Sequence, residues 1–446
     1  MRDLLVTVVF IYLIYATIKK PFIGLGLWLW SSSFNLNRMV YGFAISIPFN
    51  KIIAICTIIS FFISKEKSKL KFDKLTLLII SFFILATLSN VFAIGNSEQA
   101  WMRWEYFYKI ILFYLFAIMI LDKKIHFDFL VWLLVVSIGG LAGAEGLKFI
   151  ASGGSYRIAV IPAISGDNNF FGVMIGTILP FTYYLKTQVK QKALNTALIV
   201  LMLLMSLGIV ATYSRGALIG LIIFGGSFFV KSKNKLLIIV IIAVIGYAAA
   251  MLLPEQWFTR MNTIENADED DSFMGRVIAW KISILIGMDN FLGGGFRAIE
   301  NYGIWLKYAA QFYKLDFIPS PMPSLVKFKA AHSIYFEVLG NHGFIGLFLF
   351  VSMLLTAYFK AARIQRIAKI NNYESWMIDL TKMIQISLTV FSTTGALVNV
   401  AYFDFLYAIF AMIVALDYKV QKMVINDMKA KRMARQKLRD VRYFRD

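Results

Sequence analysis

Charge is scarce in this chain, and so are the side chains that build metal and redox sites. Its 446 residues include one cysteine, Cys56, and three histidines, His126, His332 and His342. A single cysteine excludes an internal disulfide and a cysteine cage for a metal. Three scattered histidines leave little for a histidine-based zinc site. No metal and no cofactor is therefore expected. Charged residues make up 16% of the sequence, where aqueous globular domains carry about a quarter. The Gly-x-x-x-x-Gly-Lys-Ser/Thr phosphate loop is missing, so no nucleotide site is expected. No internal repeat or low-complexity segment stands out, and the first apolar stretch, Leu4–Ile18, lacks a small-residue cleavage site. It reads as a retained span rather than a removed signal peptide.

What the sequence has instead is hydrocarbon. Hydrophobic residues account for 59% and the mean hydropathy is +0.69. Each crossing of a bilayer needs ~20 apolar residues for ~30 Å. The expected fold class is an all-α polytopic membrane protein with about 12–13 transmembrane helices and one long periplasmic loop containing short helices. Spans are predicted near 4–18, 22–34, 50–64, 75–95, 105–121, 127–149, 170–186, 194–212, 216–230, 236–253, 334–359, 379–398 and 402–416. The first two join at Lys19-Lys20-Pro21, a spacing that suggests a broken or re-entrant element. The organisation expected is 1–253 as N-terminal transmembrane helices, 254–331 as the long loop, 332–416 as C-terminal transmembrane helices and 417–446 as a basic tail.

The formal net charge of +20 could suggest nucleic acid. Its placement points to membrane lipid instead. Lysines gather in short loops at 65–74, 123–124, 186–192 and 231–235, with further bases at 360–369, alternating with apolar segments as the positive-inside rule expects. These loops and the C-terminus are assigned to the cytoplasm, and the intervening connections to the outer side. The tail from Lys419 to Arg445 is expected against anionic lipid. It lacks interleaved aromatics for base stacking, so no nucleic-acid partner is expected. The segment 254–331 is nearly balanced in charge, and long loops translocate largely regardless of charge. Phe273–Met288 has helical apolar spacing, which predicts helices lying over the membrane face.

Residues 194–230 are one apolar run. As a single helix it would be ~55 Å long, nearly twice the hydrocarbon core. Lysines flank both ends, so the run must turn on the outer side, at Tyr213-Ser214-Arg215-Gly216. Arg215 then sits at the outer leaflet. Two readings compete: a snorkelling arginine at the interface, and an anion site. Other arginines (Arg103, Arg157, Arg260, Arg276 and Arg297) also fall on outward segments, whereas the inward loops of the first two-thirds use mostly lysine. A planar, always-charged fork matches phosphate oxygens, so a phosphorylated lipid head group is the ligand this set suggests.

A second constellation is Ala330–Leu347, "AAHSIYFEVLGNHGFIGL". His332 stands at a membrane mouth, with Tyr335 and Phe336 a turn deeper and Glu337 beyond them. A histidine there can act as general base or simply cap the helix. His342, among glycines, reads as structural, and Gly340, Gly343 and Gly346 as small residues for close helix contact. "SGDNNFFG" puts Asp167, Asn168 and Asn169 at the mouth of a span, to bind sugar hydroxyls or to cap the helix. Arg103, between Trp101 and Trp104, reads as cation–π stacking in an interfacial belt. Asp268–Asp271 reads as a solvated acidic run, with Mg²⁺ or Ca²⁺ as the alternative. Glu145, Glu337 and Asp404 are ionisable groups in or near spans that composition alone does not place.

Taken together these stretches resemble the O-antigen ligase superfamily, and look closest to the exosortase A-associated O-glycosylation ligases. The resembling residues are "MRDLL" at the start, "YGFA" at Tyr41–Ala44, "DNN" at Asp167–Asn169, "TYSRGALIG" at Thr212–Gly220, "DSFMGRVIAW" at Asp271–Trp280, "GGGF" at Gly293–Phe296 and the His332 segment, in the expected order. The resemblance implies a helical bundle that transfers a glycan from an undecaprenyl diphosphate carrier to an acceptor hydroxyl of a lipid, glycan or protein. The reaction would be metal-independent, at the periplasmic face of a bacterial inner membrane. It implies His332 and Arg215 as catalytic residues and Arg215 with Arg276 or Arg297 on the diphosphate. Asp167, Asn168, Asn169, Tyr213 and Tyr335 are the candidates for sugar or acceptor contacts. Alternatives are an O-antigen polymerase, a protein O-oligosaccharyltransferase or, from another class, a lipid-linked sugar flippase or transporter.

Overall fold

A computed structural model describes residues 2–65, 70–161, 164, 166–229, 234–236, 254–262 and 271–443. Among them helices are the only regular structure. The predicted span 236–253, Lys67 and Lys69 of the 65–74 cluster, Lys231 and Lys233 of the 231–235 cluster, and Asp268–Asp270 lie largely or wholly outside the described residues. The protein is an all-α polytopic membrane protein. Helices α1 (Arg2–Lys19), α2 (Pro21–Ser33), α3 (Phe49–Ile63), α4 (Lys74–Val91) and α5 (Ser97–Ile120) come first. A rod follows, made of α6 (Lys124–Leu134), a π-helical turn (Val135–Gly139) and α7 (Gly140–Ala151). Then come α8 (Asn168–Gln188), α9 (Lys192–Ala211) and α10 (Arg215–Phe229). The long connection contains α11 (Glu255–Asn262), α12 (Asp271–Asp289) and α13 (Tyr302–Ala309), and α14 (Ile334–Ile370), α15 (Ser375–Thr394) and α16 (Asp404–Tyr443) close the chain.

Side-chain contacts sort the helix termini into two ends. At one, Ser60 Oγ donates to Ile18 O, Lys71 Nζ to Leu121 O (3.1 Å), and Tyr184 to Asp128 (2.6 Å). Lys360 Nζ bridges Asp73 (2.9 Å) and Asp417 (2.8 Å) there. The lysine-rich loops share this basic end. At the other end lie Ser33, Asp167, the Thr212–Arg215 turn, His332 and Asp404. The α1–α2 pair is a hairpin about Lys20 whose two helices both run between the ends, rather than a re-entrant element: Asp3 accepts from Gly42 N–H (2.7 Å) and Ser33 lines the cleft described below.

Among the described residues four helical stretches are long and apolar enough to cross a membrane: Lys74–Val91, Lys124–Ala151, Lys192–Ala211 and Ile334–Ile370. The others fall short for visible reasons. Helix α2 has 13 residues, and α5 carries Arg103, Glu105 and Lys109. The apolar run 194–230 breaks where its length demands, at Thr212–Ser214. Rod α6–α7 packs on α9 through glycines: a Cβ on Gly146 would stand 2.1 Å from Leu204 O, so the backbones approach as closely as small residues allow.

Helix α14 is not one rod. Gly343 has φ +67°, which breaks the helix between an upper segment and a longer lower one. The break frees the carbonyls of Gly340 and Asn341, and these accept from Gly294 N–H and Gly295 N–H, both 2.9 Å. The Gly293–Phe296 loop is thus a plug. Phe296, 2% exposed, inserts between Phe107, His342 and Tyr402. A Cβ on Gly293 would stand 2.4 Å from Gly343 N. Gly343 therefore serves a break that receives a loop, rather than the close helix packing expected of it. Helix α12 stands beside the upper part of α14 instead of lying flat over the membrane face. Trp280 stacks on Phe336 (4.9 Å, 11°), and Ser283 faces Gly340. The loop has a small core of its own around Ile282, Trp305, Tyr308 and Phe312.

Candidate functional site

Four non-glycine residues among those described have positive φ: Tyr213 (54°), Arg297 (61°), His332 (44°) and Asn372 (54°). The first three were singled out by sequence as site candidates. Such backbone costs ~1–3 kcal/mol per residue and gathers where a fold is arranged for function. All three stand at the end opposite the basic loops.

His332 is set by its neighbours on both sides. Ala331 O accepts from Trp280 Nε1 (2.8 Å), and Ser333 N–H donates to Asn399 Oδ1 (3.1 Å). The imidazole lines a cavity of about 380 Å³ with Ser32, Ser33, Arg103, Asp167, Asn399 and Asp404. Burial pushes the His332 pKa below its ordinary 6.5, and the Arg276 charge pushes it the same way, against the opposing pull of Asp167 and Glu300. The ring is therefore neutral at pH 7 and able to accept a proton. Arg276 reaches this neighbourhood because it lies one turn from Trp280 on α12; Trp280 ties that helix to the residue before His332.

Arg297 follows the plug. Its N–H donates to Asn341 Oδ1 (3.1 Å), and its guanidinium pairs with Glu300 (Nη2–Oε2 2.7 Å, Nε–Oε2 2.8 Å). A second cavity of about 240 Å³ holds Arg297, Glu300, Glu337, Asn341, Arg103 and Asn399. Arg103 and Asn399 line both lobes. The Arg103 guanidinium lies 5.0 Å from the Tyr106 ring and 5.8 Å from that of Tyr402. It faces the cleft, not a tryptophan belt, which corrects the expectation for this residue. Tyr106 donates to Asp404, and Ala401 N–H donates to Glu337 (3.2 Å).

Arg215 heads α10 at the same end. Its neighbour Gly216 packs against Leu397 and the Thr394 carbonyl, and Gly395 packs against Ile334, so the 394–399 turn links the start of α10 to the His332 segment. Asn168 Nδ2 donates to Thr212 O (2.7 Å), which ties the start of α8 to the Tyr213 turn. Asp167 both caps α8, accepting from Phe170 N–H (2.9 Å), and lines the cleft. Asn169 donates to Asp167 (3.2 Å). Tyr213 is buried with Arg157 5.5 Å from its ring, and burial raises its phenol pKa. Tyr335 donates to Ser392 O (2.9 Å), joining α14 to α15. Glu145 is engaged by Lys148 and Tyr156, each at 2.6 Å. His342 is fully buried, with Nδ1 2.6 Å from Ser89 Oγ.

Residues 200–351 match the family model described as O-Antigen ligase. Over that stretch the chain is similar to the O-antigen ligase family. That stretch holds Arg215, Arg276, Arg297 and His332. Residues 1–186, which supply Arg103 and Asp167, match a second model, described as a family of unknown function. No curated protein matches the chain. The O-antigen ligase-like stretch therefore furnishes only part of the cleft, and Asn399 and Asp404 come from beyond both matches. Sequence reasoning passed over Asn399, Tyr402 and Tyr106. Asp404 carried a usable signal, since an ionisable residue inside a predicted span is by default a functional candidate.

Proposed function

We propose that the protein is a membrane glycosyltransferase of the O-antigen ligase type, closest to the exosortase-associated O-glycosylation ligases. It takes a glycan from an undecaprenyl diphosphate carrier and passes it to an acceptor hydroxyl at the periplasmic face of a bacterial inner membrane. The observation that carries this reading is His332: an imidazole in strained backbone at a cleft mouth, its pKa held down by burial and by Arg276.

The donor diphosphate sits against Arg215 and Arg276. The N-terminus of α10 adds its positive dipole beside Arg215. Arg297, paired with Glu300, is the other candidate for the second cation. The acceptor oxygen attacks the anomeric carbon, the bond from that carbon to the phosphate oxygen breaks, and the electron pair leaves with the diphosphate. Fixed guanidinium groups stabilise that developing charge more than the ground state. The acceptor proton passes to the His332 imidazole. One displacement without a covalent enzyme intermediate inverts the anomeric centre. Asp167 and Asn399, on the cleft wall, are placed to orient hydroxyls. Ligase, polymerase and protein-acceptor versions share this chemistry and differ in the acceptor. Against a transporter speaks the gathering of the arginines at one end, above the aromatic layer of Phe82, Phe107, Phe296 and Tyr402.

The test is to give the purified protein an undecaprenyl diphosphate-linked glycan with candidate acceptors and to follow release of free undecaprenyl diphosphate. Acceptor-dependent release supports the reading. No release with any hydroxyl acceptor, from protein that is folded and monodisperse, rejects it.

A further inference from the structure

Between the loop's small core and His332 runs the strap Asp316–Phe328, "DFIPSPMPSLVKF". It holds Phe317, Met322, Leu325, Val326 and Phe328, all exposed, with Phe317 at 78% and Val326 at 79%. Such exposure in a loose loop would mean little. Here the backbone is fixed. Lys281 Nζ donates to Ile318 O (3.1 Å) and Ser320 Oγ (3.1 Å), Trp305 Nε1 to Ser324 O (2.8 Å), and Tyr302 to Leu325 O (2.6 Å). These hydrogen bonds use three backbone carbonyls and the Ser320 hydroxyl and leave the apolar side chains outward. Beyond Asp316 the strap has no carboxylate, and Lys327 and Lys329 close it.

Its height can be read along α14. Lys281 stands at the level of Val338, since Trp280 stacks on Phe336 and Ser283 faces Gly340. Below the break, Gly343 to Lys360 is 17 residues, or ~26 Å at ~1.5 Å each, and the short segment above it carries the level of Val338 a few ångströms further. The hydrocarbon core is ~30 Å thick. The strap carbonyls held by Lys281 therefore lie at the hydrocarbon–headgroup boundary of the leaflet at the site end. Phe291 (76% exposed) and Phe344 (49%), at the level of the Gly343 break, continue the apolar surface below it.

We propose that this strap is an interfacial lipid-binding element. Its five apolar side chains enter the outer leaflet while Lys327 meets the phosphates of the head groups. The occupant is the bilayer itself: the strap lies at bilayer height, continues an apolar lipid-facing surface and carries only positive charge at its end. The inference does not rest on the transfer reaction. Because Lys329 and His332 follow directly, the strap also fixes how far the site stands above the membrane.

Cys56→Ser removes the natural thiol, and Val326→Cys or Met322→Cys then carries an environment-sensitive fluorophore on the full chain in lipid nanodiscs. We expect strong quenching by lipids bearing a nitroxide high on the acyl chain, and little by aqueous iodide, at both positions. Two positions guard against one variant failing to fold. Quenching by iodide and not by the nitroxide lipid places the strap in water and overturns the proposal. Protection from both quenchers means that protein covers it, and overturns the proposal as well.

Discussion

The two ends of the bundle are built on different terms. At the basic end charges are matched: Lys360 lies between Asp73 and Asp417, Lys124 meets Asp128, and Tyr184 completes that group. At the far end three residues hold strained backbone, and Arg103 shares a cleft with Asp167, Glu337 and Asp404 yet forms no salt bridge among the described residues. Buried charges are kept in pairs where stability is at stake. Strain and unspent hydrogen-bonding capacity are retained where a ligand is to supply the missing contacts. One end is closed by paired charges, and the other, on the function proposed above, is left open for a ligand.

That division is open to attack. The largest expected effect on folding is at Lys360, whose side chain is 10% exposed while that of Asp417 is 2%. Lys360→Met leaves two carboxylates without their cation and should cost ~3–5 kcal/mol. Thermal unfolding in detergent reads this as a markedly lower midpoint, with turnover per folded molecule little changed. A midpoint like that of the wild type would mean that the basic end is not what holds the bundle.

Gly343→Ala comes next. The new Cβ would meet Phe291 O at 2.5 Å on a backbone at φ +67°, a strain of ~1–3 kcal/mol. Because the break receives the plug, this variant should lose activity along with stability. Loss of stability alone would separate the plug from the site.

The smallest effect is a shift in pH dependence. His332 is held neutral by burial and by Arg276, so the acid limb of the pH–rate profile should lie below 6.5. Activity should be flat above that value and fall as the ring protonates. Arg276→Gln removes one depressing charge and should move the limb upward, apart from its effect on rate. The stability sign follows from the same shift. The unfolded chain holds the proton more tightly, so the contribution of His332 to stability is present above pH 6.5 and is lost as pH falls from 6.5 through the folded value. A limb unmoved in the Arg276 variant would place that guanidinium outside the field of the imidazole.

Much of this contrast was readable from the chain. Segregated lysines and apolar run lengths located the helices, and the excessive length of 194–230 forced the turn before Arg215. What stayed hidden was long-range. The Gly343 break and its plug depend on the Gly340 and Asn341 carbonyls meeting the Gly294 and Gly295 amides far upstream in the chain, which no local periodicity reports. Helix α5 starts at Ser97, well before the apolar residues begin, because Asn96 accepts from Gln99 N–H (3.1 Å). That added length carries Arg103, with tryptophans at 101 and 104, into the cleft. The Trp-Arg-Trp spacing suggested a belt, and only the packing of α5 against the start of α16 turns the guanidinium toward Tyr106 and Tyr402.

The central claim is that Arg215 and His332 act on one carrier-linked substrate at this end. The direct measurement is single-turnover release of undecaprenyl diphosphate by wild type, Arg215→Ala and His332→Ala, each reconstituted and matched for thermal stability. The account predicts a loss of about 10²–10³-fold in each variant, with unfolding midpoints unchanged. Wild-type turnover in either variant would contradict it.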